Sequence, residues 1–596
     1  HDPMEPGVHR VVRDGDLMVN NGYWDTYRTA WPALCLLDPA ATGRMLDGLL
    51  AQWRGGGWMA RWSAPGYVDS MVGTSSDQIF ADGMVWGAPF DRAEAFESAW
   101  RNAAEPSPDP RCGRKGIGSG RFTGYISSSV PEGMSWSIEN AISDAAIARF
   151  ATALADSASE AAADGAADGA DGAPGASERA SGSADRASDF ARYTAFARYF
   201  GNRARSYRQL FDAAHGFFRG RDDDGRFAGG RFDPRVWGGD NVETNAWGMS
   251  VSAVHDGAGL AALYGGRAGL RAHLDRLFAE PETADPAFGG SYGTVIHEQR
   301  EARALRSGMC AISNQPAHHI PWMHVYGDQP WRAGAVVHDL AGRLFAGAMI
   351  AQGFPGDEDN GEMSAWWLWA ALGLYPLELA SGELRIGSPL LDDITVRRAD
   401  GGSLRVRSQR ESEHARFLVA ARLDGEALSR AVLPIAALAG EGERTLELDF
   451  SASAADAEAS PLWQADTQTP PSEWRPDLTG KDGFAVGAPA AVALFDDRST
   501  LPVALAEGEW AGWRFAELRR VSDATLTAAR ETPEGAVEWQ YSDDGETWIP
   551  AATTHLESLP AGRTVPFSFA EPFVARAVRV RASAPVVLAQ LELFDL

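Results

Sequence analysis

Lysine is nearly missing from this 596-residue chain: Lys115 and Lys481 are the only two, and arginine supplies the other cations. Such a bias fits a GC-rich coding genome and points to a bacterial source. Positive charge as a whole is scarce, with 54 Lys and Arg against 81 Asp and Glu, a formal charge of −27 and a pI near 4.9. A phosphate-backbone partner draws on a positive footprint, so nucleic acid is excluded as an expected partner. Cysteine is also rare. Cys35, Cys112 and Cys310 are too few and too scattered for a disulfide framework or a Cys-rich zinc site, and allow at most one bridge. There is no uninterrupted apolar run of bilayer length, so no membrane anchor is expected. The opening His1-Asp2-Pro3-Met4-Glu5-Pro6 has neither an initiator Met nor a charged-then-apolar leader, which reads as a fragment or a processed end.

What is present is a long, 45% apolar sequence, too large for one hydrophobic core and therefore expected to form several domains. Twenty-one tryptophans and 26 phenylalanines are a heavy aromatic load. Core packing accounts for most of them, but flat rings also serve as platforms in sugar-binding clefts.

From Asn21 to about Pro376 the apolar residues recur at three and four, as in Ile138, Ala141, Ile142, Ala145 and Ala146, the pattern of a helical domain. Residues 157–188, built from Ala, Gly, Asp and Ser, offer little apolar surface to offset ordering entropy, and are expected as a mobile insertion between two helices. After Gly387 the period switches to two, as in Ile394 to Arg398 and Ser403 to Arg407, so a sandwich-type sheet domain is expected over 387–450. Residues 451–483 read as a linker. A second β unit follows over 484–596. Its Tyr541-Ser542-Asp543-Asp544-Gly545-Glu546-Thr547-Trp548 turn and terminal strands resemble discoidin modules, many of which bind sugars, so it is a possible carbohydrate-binding module.

The densest chemistry lies in Gly356-Asp357-Glu358-Asp359-Asn360-Gly361-Glu362-Met363-Ser364-Ala365-Trp366. Asp357 and Asp359 are two apart, face one side of an extended loop, and raise at least one pKa by mutual repulsion, which suits a general base. A solvated acidic turn is the plain alternative. An EF-hand is not: counting from Asp357, Gly falls one place early and Leu368 stands where a bidentate Glu is needed. Several other motifs dissolve on inspection. His297-Glu298-Gln299-Arg300-Glu301 begins like a zinc-protease helix, but Glu301 replaces the second imidazole. Gly289-Gly290-Ser291-Tyr292-Gly293 matches a serine-nucleophile spacing without the flanking strand and helix. Gly55-Gly56-Gly57 lacks the Lys-Ser/Thr of a phosphate cradle. Glu243, in Asp240-Asn241-Val242-Glu243-Thr244-Asn245-Ala246-Trp247, could be a helix cap. With a second acid on a distant segment it becomes a candidate partner for glycoside hydrolysis, which needs two carboxyl groups flanking one sugar ring.

Taken in order, Tyr23-Trp24-Asp25-Thr26-Tyr27-Arg28-Thr29, Met71-Val72-Gly73, Glu243 to Trp247, His297-Glu298, Ser313-Asn314-Gln315-Pro316-Ala317-His318-His319, and Gly356 to Trp366 resemble glycoside hydrolase family 92. The resemblance covers roughly residues 20–390 and implies a calcium-dependent, inverting exo-α-mannosidase. The fold class it implies is multidomain α+β, an (α/α)6 barrel catalytic domain over 23–386 followed by β-sandwich domains. It further implies Glu243 as general acid, Asp357 and Asp359 as the water-activating base and its partner, and Asp25 and Arg28 as contacts to mannose hydroxyls, with Trp24 walling that subsite. His297 and Glu298 would contact the leaving mannose of an α-1,2 link. Asn314 and Gln315 would offer oxygens to Ca2+, Gln315 replacing a Glu present in many relatives. His318 and His319 serve packing or sugar hydrogen bonds. The family's N-terminal β-sandwich is expected to precede Tyr23, so residues 1–22 read as the linker from a missing domain that acts as a possible separate segment. The expected partner is a mannose-containing oligosaccharide or glycoprotein glycan, such as an N-glycan or mannan, handled by a secreted or cell-surface protein. A mannose-phosphodiester uncapping hydrolase and a non-catalytic carbohydrate-binding protein are the alternatives.

Overall fold

A computed structural model describes residues 14–167, 176–345, 353–464, 473–552 and 558–596. The first unit is helical from Tyr23 to Leu372. Local chemistry sets its helix starts. Asp38 caps Pro39–Gly56 by accepting from the Ala41 N–H at 2.8 Å, and Asp91 caps Arg92–Ala104 by accepting from Glu94 at 3.0 Å. Two long helices, Gly133–Ala167 and Ala176–Arg203, lie side by side. The expected insertion over 157–188 is thus helical at 157–167 and 176–188, while 168–175 lie outside the described residues. Alanine explains the difference: it loses little side-chain freedom and is the best helix former, even where few apolar contacts follow.

Strand pairing starts earlier than the periodicity implied. Leu374–Tyr375 and Glu383–Ile386 join Val432–Pro434 in a three-stranded sheet. A five-stranded sheet stands beside it, and there Gly442–Ser451 runs parallel to Gly402–Arg410 with Leu446 opposite Val406. Alternation buries Leu404, Val406, Leu446 and Leu448 on one face. The expected linker is packed in its first part: Ala454–Ala459 is helical, and Trp463 is buried with its indole donating to Leu418 O at 3.0 Å. Residues 465–472 lie outside the described residues.

The last unit is a seven-stranded sheet built around two 19-residue strands, Trp510–Ala528 and Thr564–Ala582. Register shifts between Arg514 and Arg519, and between Val521 and Asp523, bend the pair, so that Trp539 and Phe567 meet across its core at 6.2 Å. It is docked on the helical unit: Trp100 donates to Thr564 O at 3.0 Å, Arg121 to Gly562 O at 2.7 Å, and Arg198 pairs with Asp523 at 2.6 Å. The three cysteines are free and buried. No helix among the described residues is long and apolar enough to cross a membrane.

Candidate active site

Four segments far apart in sequence converge, and a residue absent from the expected site binds three of them together. Glu362, the first residue of helix Glu362–Leu372, is fully buried. One carboxylate oxygen accepts from the Thr29 and Ala30 N–H groups at 3.1 and 3.2 Å, and the other lies 3.0 Å from His318 Nδ1. The Asp25–Arg28 turn, the Ser313–His319 segment and the acidic loop are therefore pinned at one carboxyl. Two further contacts tighten the arrangement. Asn360 Oδ1 accepts from Gly22 N–H at 3.0 Å. Gly356 packs so closely on the Ser313 segment that an added Cβ would stand 1.9 Å from Ser313 O. Its φ of +74° suits glycine as well.

The consecutive amides Asn314 and Gln315 then reach opposite carboxyls. Asn314 Nδ2 donates to Glu243 Oε2 at 3.2 Å and to its backbone oxygen at 3.2 Å, while Gln315 Nε2 donates to Asp359 Oδ2. Glu243 and Asp359 thus belong to one site. Both sit at left-handed backbone positions, with φ of +48° and +54°, conformations that cost non-glycine residues energy and persist where surrounding contacts over-determine them. Burial pushes the Glu243 carboxyl up to about 7, against the pull of Asn314 and with help from the nearby charges of Glu298 and Asp359. Asp359 is also raised by burial, opposed by Gln315 and reinforced by Asp357. Glu358, in the same loop, is a cap: it accepts from Gly361 N–H at 2.7 Å.

Asp25 lies within the field of both Glu243 and Asp359. It is 3% exposed, and burial followed by the charges of Asp359 and Glu243 holds its pKa well above the carboxylate range. Its backbone oxygen accepts from the Arg28 N–H at 3.5 Å, but among the described residues no side chain or N–H donates to its carboxyl. A buried carboxyl left in that state is open to a polar partner from outside the protein, such as a sugar hydroxyl. Arg28 is differently committed. Its guanidinium pairs with buried Glu139 at 3.3 Å, donates to Trp24 O at 3.2 Å, and lies 4.9 and 4.6 Å over the rings of Trp24 and Tyr27. Trp24 packs with Val72, Ile126, Trp136 and Val242. Both support the Asp25 turn from behind.

The neighbouring histidines diverge. His318 holds Glu362, whereas His319 lines a separate cavity with Arg28, His255 and Tyr375, and burial pushes its pKa down to about 3. His297 opens helix His297–Leu305 and bridges Glu298 at 3.1 Å and Glu301 at 3.2 Å. Partial burial lowers its pKa, but Glu301, Glu298 and Asp357 outweigh that and raise it. Asp357, exposed at the loop surface, faces this His297–Glu301 pair as well as Asp359.

Oxygen atoms and surplus negative charge dominate the centre, a donor set suited to a hard cation. Among the described residues no group of three or more His, Cys, Asp or Glu side chains is arranged to hold a metal; the adjacent amides of Asn314 and Gln315 carry further hard oxygens, that of Asn314 accepting from the Gln315 N–H at 3.1 Å. Sequence reading missed Glu362, Glu139 and Tyr292. For Glu362 the signal was available, as it stands within the acidic motif; for Glu139, inside a long helix, there was none.

Two carboxyls from distant segments, held by one two-residue step, are the kind of pair that acid–base hydrolysis uses. The chain belongs to glycosyl hydrolase family 92, whose catalytic domain matches residues 6–171 and 176–451. A family GH92 inverting mannosidase from Bacteroides thetaiotaomicron superposes over 77% of this chain and 56% of its own, with 29% identity and a TM-score of 0.61. A family GH92 α-mannosidase of the same organism, in complex with mannoimidazole, shares the fold over 78% of this chain and 55% of its own, with 21% identity and a TM-score of 0.60. This chain therefore spans just over half the length of both. No curated protein matches it.

Proposed function

We propose that this chain is an inverting exo-α-mannosidase that hydrolyses terminal α-linked mannose, with α-1,2 links in N-glycans or mannan as its substrates. The observation that carries the reading is the capture of Glu243 and Asp359 by the adjacent amides Asn314 and Gln315. Their environments suit unlike roles. Glu243, raised to about 7, retains a proton near neutrality and donates it to the glycosidic oxygen as the bond breaks. Asp359, more accessible and neighboured by Asp357, takes a proton from the water that attacks the opposite face. Inversion requires room for that water between the carboxyls. Asp25, buried with its carboxyl unpartnered, is assigned to hydrogen-bond hydroxyls of the terminal mannose.

Asn314 and Gln315 are the residues we assign to Ca2+, whose charge, when bound, polarises adjacent mannose hydroxyls. His297 and Glu298, within reach of the acid's field, are assigned to the leaving mannose. The helical unit is proposed to close as an (α/α)6 barrel, with the N-terminal β-sandwich completing the pocket, the last module binding carbohydrate, and the whole acting at or beyond the cell surface.

The test is Glu243→Gln, assayed on α-1,2-mannobiose and on a mannoside with a strongly acidic phenol as leaving group. Mannobiose turnover is expected to fall by about 10²–10⁴-fold while the activated substrate keeps most of its rate. Equal losses on the two remove the acid assignment. Binding of mannobiose by the unmodified protein without turnover would mark a carbohydrate-binding protein, and preference for a mannose phosphodiester the uncapping activity. Proton NMR of the released sugar reads the anomer and the linkage.

A further inference from the structure

The Gly289–Gly293 stretch, whose spacing resembles a serine-nucleophile turn, interlocks with the loop that carries Glu243. Tyr292 Oη accepts from the Glu243 N–H at 3.0 Å, and Ser291 Oγ accepts from the Gly239 N–H at 2.8 Å. Just before them, Trp237 N–H donates to Phe288 O at 3.0 Å. Within the acid's own loop Gly238 N–H donates to Thr244 O at 2.9 Å. The two loops fit with no room to spare: an added Cβ at Gly290 would stand 1.9 Å from Trp237 O, and one at Gly238 2.1 Å from Ser291 Oγ. Both glycines have positive φ, +51° and +75°.

What this clamp grips is the residue whose backbone most needs it. Glu243 is a non-glycine residue at φ +48°, and relaxing it to the right-handed region would swing its Cα–Cβ bond and turn the carboxyl away from Asn314. On one side Asn245 is fixed by capping helix Ala246–Met249, and on the other the Val242 N–H donates to Ser135 Oγ at 3.0 Å, which leaves the Glu243 N–H as the backbone donor between two anchored neighbours. Tyr292 engages it. The hydroxyl is suited to the task because it accepts from an N–H without adding charge beside a carboxyl that must keep its proton.

We propose that Tyr292 is a positioning residue for the acid: its hydroxyl holds Glu243 in the strained conformation that aims the carboxyl at the glycosidic oxygen, with Ser291 bracing the same loop four residues away at Gly239. The inference rests on Glu243 being the acid. It assigns catalytic consequence to a loop that touches no reacting atom.

The experiment is Tyr292→Phe in the full-length protein, which keeps the ring and deletes only the acceptor, with Ser291→Ala as a second variant and Glu243→Gln alongside. A positioning role predicts that Tyr292→Phe lowers kcat on α-1,2-mannobiose by about tenfold or more while the activated phenyl mannoside changes by less than about threefold. Ser291→Ala should show the same split to a smaller degree, and the melting temperature of both should stay close to that of the parent. A merely structural role would lower both substrates together, or lower the melting temperature without a split, and either result overturns the proposal. If Glu243→Gln shows the split and Tyr292→Phe does not, the clamp alone is wrong. If Glu243→Gln shows none, the acid assignment falls and the clamp with it.

Discussion

At the scale of single residues the site is governed by what burial does to carboxyls. Glu243 moves from an ordinary value of 4.5 to about 7, chiefly through loss of solvent. Because the acid must be protonated to act, kcat/KM on mannobiose is expected to fall as pH rises through about 7, and a pH–rate profile of Glu243→Gln should lack that upper limb. The same shift carries a sign for stability. The folded state binds this proton more tightly than the unfolded chain, so its contribution is full below about 4.5 and is lost as pH climbs towards about 7. Denaturant titrations at pH 5 and pH 8 measure it. Glu362 makes the complementary point, since its carboxylate accepts from two backbone N–H groups and neighbours His318. Removing it leaves those donors buried and unpaired.

At the scale of elements, loops hold the chemistry and helices hold the loops. Asp359, Asn360 and Gly361 follow one another in left-handed conformation, a turn that brings Asp359 beneath the Gln315 amide and starts the helix at Glu362. Gly356→Ala would place a methyl group 1.9 Å from Ser313 O at a φ of +74°. We expect it to cost about 1–3 kcal/mol of stability and to lose most turnover on both mannobiose and the activated mannoside, because base and acid supports move together. Circular dichroism melts with parallel kinetics check this. Element type was legible where periodicity was strong, in the 133–156 helix and the 402–410 strand. The structure differs at 157–167 and 176–188, where composition spoke for disorder and alanine propensity formed helix, and at 451–464, where an Ala- and Ser-rich stretch was packed by one tryptophan, Trp463.

On the scale of the whole molecule, the last β unit is fastened to the helical unit by buried contacts. Asp523, 4% exposed, accepts from Arg198 at 2.6 Å and from Ser568 at 2.7 Å, and the Arg563 guanidinium lies 4.5 Å over the Trp100 ring beside Glu97 and Glu105. Arg198 is partly solvent-exposed, which screens the pair, so Asp523→Ala is expected to cost about 1–3 kcal/mol. Calorimetry should then resolve unfolding of the β unit ahead of the helical one, whereas the parent is expected to unfold in a single transition.

The chain's own order of residues determined which groups were available: scarce lysine and excess acid gave no positive footprint for a phosphate backbone, and the motifs around Asp25, Glu243, Asn314 and Asp359 supplied the candidate residues because each is a short run whose chemistry is readable without neighbours. Only the tertiary structure decided which carboxyls meet. Asn314 and Gln315 join Glu243 to Asp359 across 71 and 44 residues, and Glu362 joins segments 333 residues apart. Such contacts depend on how helices pack and on burial that shifts proton affinities, quantities that no local pattern contains.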